Sequence, residues 1–133
     1  MNTGAYSWYN ALMNTEEILR AISTLRTGAT PGEYDLHSLV AKALAAANLP
    51  FQHEYRLAPR RRIDFFVDGV GVEIKKGRPN ARELLLQVQR YLEADALKEI
   101  IVVTQKDTPL PARVNGKRVT SISLNRLWGV ALP

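Results

Sequence analysis

Cysteine is absent from this chain, which rules out disulfides and any zinc or iron–sulfur site held by thiolates. Histidine is scarce: His37 and His53 stand alone in the sequence, where a structural or surface role is the ordinary expectation. No apolar run approaches the roughly 18 residues that a membrane helix requires. The first residues hold no basic stretch leading into an apolar block, which argues against a secretory signal and for a cytoplasmic location. Gly-rich phosphate loops, Gly-x-Gly-x-x-Gly and Gly-x-Ser-x-Gly are all missing, so several nucleotide-binding and hydrolase classes have no foothold. Acids are outnumbered, 13 against 18 Lys and Arg, for a formal charge of +5. That balance favours anionic partners, of which nucleic acid is the commonest. At 133 residues the chain is expected to form a single domain burying about two-thirds of its unfolded surface.

What is present reads as alternating helix and strand, without repeats or low-complexity tracts. A first helix is expected over residues 5–26, with Leu12, Ile18, Leu19, Ile22 and Leu25 facing inward. Gly28-Ala29-Thr30-Pro31-Gly32 breaks it. A second helix follows, with Leu36, Leu39, Val40, Ala43, Leu44 and Ala47 spaced as one buried stripe and Asn48-Leu49-Pro50 as its stop. Strands are expected at 51–57, 61–67 and 70–76, then a helix from Gly77-Arg78-Pro79-Asn80 to about Asp95. Ile100–Thr104 has the continuous apolar character of a buried strand. A last strand is expected over Arg118–Leu124, followed by a tail. The order is ααβββαββ, an α/β chain with a mixed central sheet.

The most informative stretch is Arg62-Ile63-Asp64-Phe65-Phe66-Val67, Asp68-Gly69, Val70-Gly71-Val72-Glu73-Ile74-Lys75. Two β-rich runs around Asp-Gly predict a hairpin, because both turn residues take positive φ. A two-residue turn sets Val67 opposite Val70, Phe65 opposite Val72 and Asp64 opposite Glu73. Alternation then places Ile63, Phe65, Val67, Val70, Val72 and Ile74 on one apolar face and Arg62, Asp64, Glu73 and Lys75 on the other. Facing carboxylates repel, and a bound cation removes that cost. Hard ions such as Mg²⁺ or Mn²⁺ suit such oxygen donors.

Asp64, a spacer across a hairpin and Glu73-Ile74-Lys75 resemble the core of the PD-(D/E)XK nuclease superfamily. Gln87-Val88-Gln89-Arg90-Tyr91 is similar to the Gln-x-x-x-Tyr element on the helix after that core, and Glu33 stands where the family often has another acid. The resemblance spans roughly residues 30–105, with residues 106–133 as a C-terminal strand and tail. One departure is Ile63, where the family often has proline. The resemblance implies a restriction-endonuclease-like fold and a Mg²⁺-dependent DNA endonuclease, with Mn²⁺ able to substitute. Asp64, Glu73, Glu33 and the Ile74 carbonyl are the implied metal ligands, Lys75 the implied catalytic lysine, and Gln87 an implied active-site residue. Stand-alone Holliday junction resolvases, which act as homodimers on branched DNA, have a similar layout. A repair or restriction-type nuclease without junction preference is a second enzyme reading, and a non-catalytic DNA-binding subunit of the same fold is the alternative from a different class.

Several of these residues have an ordinary reading as well. Lys75 can simply neutralise Glu73. Thr30-Pro31-Gly32-Glu33 is also a capping box, and Glu54 on the preceding strand is the alternative third acid. Gln87 and Tyr91 lie four apart on one helical face, beside the Leu84, Val88 and Leu92 stripe. Arg60, Arg61 and Arg62 form the densest basic cluster; together with Arg78 and Tyr91 they are the expected DNA-binding residues. Tyr6, Trp8 and Tyr9 suit core or dimer packing better than base stacking.

Overall fold

The computed structural model describes residues 3–24 and 36–127. Ten elements follow in order: α1 (Thr3–Ser23), α2 (Leu36–Ala46), β1 (Gln52–Ala58), β2 (Arg61–Val67), β3 (Val70–Lys75), α3 (Ala81–Tyr91), β4 (Glu99–Thr104), β5 (Arg113–Val114), β6 (Lys117–Ser123) and α4 (Leu124–Leu127). The six strands make one mixed sheet in the order β1-β2-β3-β4-β6-β5. β1 pairs antiparallel with β2 and β2 with β3, while β3, β4 and β6 are mutually parallel and β5 closes antiparallel on β6. Two elements go beyond the expected order: the two-residue β5 and the single turn α4, both too short to leave a periodic signal.

The hairpin turn forms as its residues require. Asp68 and Gly69 both take positive φ, 33° and 93°, and Val67 pairs with Val70. The Gly69 carbonyl then accepts from the backbone N–H groups of Lys98 and Glu99, at 2.7 and 3.2 Å. This fixes the start of β4 against the hairpin tip. All six residues of β4 are buried, as are Val70 through Ile74 of β3, which matches central strands covered on both faces.

Helices α1 and α2 cover one face, where Ala11, Ile18, Ile22, Leu36, Val40 and Leu44 pack on Phe65, Val72, Ile74, Ile101 and Val103. Helix α3 covers the other, packing Leu84, Val88 and Tyr91 on Ile63, Ile100 and Val102. The α3 helix begins later than expected, because the Asn80 side chain accepts from the Glu83 N–H at 3.0 Å and caps it there. At its far end Lys117 donates to the Leu92 and Ala94 carbonyls, both at 2.9 Å, supplying partners for groups that helix geometry leaves open. Buried Glu99 accepts from Thr15 Oγ1 at 2.9 Å and from Arg118 Nε at 3.0 Å, joining α1, β4 and β6.

Three inner-face expectations need correction. Leu12 is 40% exposed, because Ala11 and Thr15 take the inward positions of α1. Ala47 is exposed, since α2 has ended before it. Ile63 packs with the α3-side cluster rather than beside Phe65, so strict alternation along β2 breaks at Asp64. Gly71 makes room for that displaced side chain. A Cβ there would fall 2.3 Å from Ile63 Cδ1 and 2.7 Å from Leu97 Cδ1, both fully buried.

Gly71→Ala is therefore expected to destabilise the fold by about 1–3 kcal/mol, the usual cost of overpacking. Ile63→Val removes the clashing methyl, so in that background the same change should cost less, a coupling on the order of 1 kcal/mol in a double-mutant cycle of chemical denaturation. Strict additivity of the two changes would show that Gly71 is not there to accommodate Ile63.

Candidate active site at the open end of the hairpin

The β2–β3 ladder pairs Val67 with Val70, Phe66 with Gly71 and Phe65 with Val72, and then stops. Asp64 and Glu73 stand at the next position, and their side chains take over from the missing backbone rungs. The Asp64 N–H donates to Glu73 Oε1 at 3.3 Å, and the Ile74 N–H donates to Asp64 Oδ2 at 2.8 Å. Each carboxylate thus holds the other's strand. Because β3, β4 and β6 end on the same side of the sheet, this opening lies at the carboxyl edge of the parallel strands, where open α/β sheets commonly bind ligands.

Glu73 is only 4% exposed. Its Oε2 has the Tyr91 hydroxyl at 3.1 Å, Gln87 Nε2 at 3.4 Å and Lys75 Nζ at 3.4 Å. The pairing of Gln87 and Tyr91 on one helical face is realised, and Gln87 also donates to the Tyr91 oxygen at 3.0 Å. Burial is the largest influence on Glu73 and the Asp64 charge the next; together they push its carboxyl from 4.5 up to about 7, against the opposing pull of Lys75. Burial and the neighbouring Glu73 charge push the Tyr91 phenol upward, so it stays a proton donor.

The arginines expected to bind DNA separate into two places. Arg60, Arg61 and Arg62 line a cleft of about 380 Å³ with Gln87, Arg90 and Tyr91, directly beside the Glu73 cluster. Arg61 is already engaged with Glu93 at 2.8 Å and with the Arg90 carbonyl at 3.1 Å, while Arg60 and Arg62 are exposed. Arg78 lines a different cleft, of about 400 Å³, with Lys106, Asp107, Ser123, Asn125 and Arg126. Tyr91, expected at the DNA-binding surface, is instead 5% exposed, with its hydroxyl held between Glu73 and the Arg62 carbonyl oxygen. An aromatic at the inner edge of an amphipathic helix is pulled into the core, and from there the Tyr91 hydroxyl reaches Glu73.

Glu33, with the Thr30 capping box, lies outside the described residues. Glu54 is exposed and stands with His53 and His37 rather than with Glu73. Arg90 escaped notice in the sequence, although its position three residues after Gln87 places it on the same helical side. Lys106 and Arg126 carry no sequence signal, because only the closing of β4 and β6 side by side brings them to Arg78.

The arrangement offers two carboxylates, one nearly buried and one partly so, a lysine at their side and a basic cleft next to them. Oxygen donors in this number suit a hard divalent ion, which usually takes only one or two protein carboxylates. A cation would also remove the Asp64–Glu73 repulsion that raises the Glu73 carboxyl. No family model matches the chain, and no curated protein or solved structure matches it.

Glu73 makes stability depend on pH in a definite direction. Below about 4.5 it is protonated in folded and unfolded chains alike; between there and about 7 the unfolded chain releases the proton and the folded one keeps it. Stability in chelator is therefore expected to fall as pH rises through that window, by on the order of 3 kcal/mol in full. Glu73→Gln should flatten the decline in denaturation measured at pH 5 and pH 8. A wild-type decline no steeper than the variant's would contradict a raised Glu73.

Proposed function

We propose that the protein is a metal-dependent DNA endonuclease of the PD-(D/E)XK type, with a restriction-endonuclease-like sheet, acting as a homodimer. The reading rests on one observation above all: Asp64 and Glu73 meet where the hairpin ladder opens, with Lys75 Nζ 3.4 Å from Glu73. Asp64, Glu73 and the Ile74 carbonyl would hold Mg²⁺ or Mn²⁺, with Glu33 as a further ligand. Such an ion supplies charge neutralisation at a phosphate and acidifies a water nucleophile.

The chain's own residues do the rest. Gln87 and Tyr91 fix the orientation of the Glu73 carboxylate, and Lys75 brings a positive charge to the scissile phosphate and to the attacking water. Arg60 and Arg62, free of the ties that hold Arg61, draw the polyanion toward the acids. In the absence of a cation the acidic pair is held by the backbone donors of Asp64 and Ile74. A homodimer supplies two such sites, one for each strand of a duplex or junction.

Plasmid, linear, single-stranded and four-way-junction DNA, each with and without Mg²⁺, test the proposal and rank the substrates. Cleavage should require the ion and vanish in Asp64→Ala and Glu73→Ala. Lys75→Ala should lose on the order of a hundredfold or more, as when a positioned proton-handling group is removed. DNA binding should persist in all three; undiminished cleavage in chelator or in these variants would end the proposal. Glu33→Ala should reduce the rate by a similar factor, whereas a lost helix cap would cost only about 1 kcal/mol of stability and leave the rate intact.

A further inference from the structure

Next to the acidic pair, on its α2 side, stands a second cluster that the proposed reaction does not use. His37 of α2 and His53 and Glu54 of β1 bring one ligand atom each to within 4.8 Å of one another. His53 Nε2 lies 3.8 Å from Glu54 Oε1, and His37 Nε2 lies 3.8 Å from Asp64 Oδ2. The rings of the two histidines meet edge to face with centroids 6.1 Å apart, and the His53 ring stacks on fully buried Phe65 at 4.8 Å.

The backbone explains how two adjacent strand residues serve one place. In a regular strand His53 and Glu54 would point to opposite faces. Glu54 instead adopts φ 55°, a left-handed conformation unfavourable for a residue with a Cβ. The ladder partners on either side of it, His53 with Phe65 and Tyr55 with Ile63, keep one register, so the strands pass through the distortion without a slip. It turns the Glu54 carboxylate toward the His53 imidazole. Residues held in such conformations cluster at functional sites.

We propose that His37, His53 and Glu54 bind a divalent transition ion of the zinc class, at a site adjoining Asp64 but separate from the Asp64–Glu73 pair. Two imidazoles with a carboxylate suit a borderline ion rather than Mg²⁺, which prefers oxygen donors alone. Zinc bound at about 2.0–2.2 Å keeps tetrahedral donors about 3.4 Å apart. His53 and Glu54 are about half exposed, with side-chain values of 51% and 48%, which leaves their side chains room to turn toward an ion. Three protein donors leave a fourth position open, and Asp64 borders it through His37. The site would tie α2 to β1 across the sheet edge and place a second positive charge beside Asp64.

Zn²⁺ itself is the probe, with binding read by calorimetry and by competition against a chromophoric chelator, so the result does not depend on any nuclease activity. Wild type should bind one equivalent at this site, and Zn²⁺ should raise the melting temperature of the protein. His37→Ala and His53→Ala should each weaken that binding by on the order of a hundredfold, with Glu54→Gln weakening it less. Glu73→Gln should leave it unchanged. Circular dichroism melting in chelator verifies that each variant remains folded. Unaltered Zn²⁺ affinity in both histidine variants, or loss of it in Glu73→Gln alone, would overturn the proposal and put the ion at the carboxylate pair. Failure to cleave any DNA would leave these outcomes intact, since none of them reads catalysis.

Discussion

Where the β2–β3 ladder opens, two carboxylates replace backbone oxygens as hydrogen-bond acceptors, and the rest of the site is arranged around that exchange. The Ile74 N–H donates to Asp64 and the Asp64 N–H to Glu73, so the strands separate without leaving buried donors unmatched. The cost is electrostatic. Two acids are brought together at a place where one of them is almost fully buried, and its proton is held up to about neutrality. Lys75, Gln87 and Tyr91 are placed to offset that cost at a single oxygen of Glu73. Burial, pairing and charge are here one problem with one solution.

Helix α3 is the element that couples this solution to the surface. Its inner face carries Leu84, Val88 and Tyr91 into the core, and the boundary of that face delivers Gln87 to Glu73. One turn further, Arg90 joins Arg60, Arg61 and Arg62 around the adjoining cleft. Packing free energy from the apolar stripe therefore also sets the geometry of the polar residues beside it. Rigid elements hold functional side chains better than loops do, and here the supporting residues lie on a strand and a helix.

Much of this was legible in the residues. Asp68-Gly69 dictated the turn, the turn dictated the register of Val67 with Val70, and the register brought Asp64 to Glu73. The largely apolar Ile100–Thr104 run announced a buried strand, and the four-residue spacing of Gln87 and Tyr91 put them on one face. The side on which Ile63 lies was not legible, because alternation is a rule for regular strands and β2 stops being regular at Asp64. Nor was the burial of Tyr91, which depends on how deeply α3 settles on the sheet. The meeting of His37 with His53 and Glu54 depends on how α2 settles against β1 and turns on one left-handed backbone conformation, which no spacing of residue types encodes.

The double acceptance at the Gly69 carbonyl has a consequence for how the chain assembles. That oxygen binds the N–H groups of Lys98 and Glu99 and so sets where β4 begins relative to β3. β6 in turn takes its register from β4, with Glu99 beside Arg118 and Thr104 beside Ser123. A hairpin closes quickly because its contacts are local, whereas parallel neighbours must wait for a long intervening segment to return. The tip of the hairpin is thus the template on which the later strands are counted off. A miscount at two residues would displace the entire parallel half of the sheet, and with it the edge on which Lys75, Thr104 and Ser123 finish level.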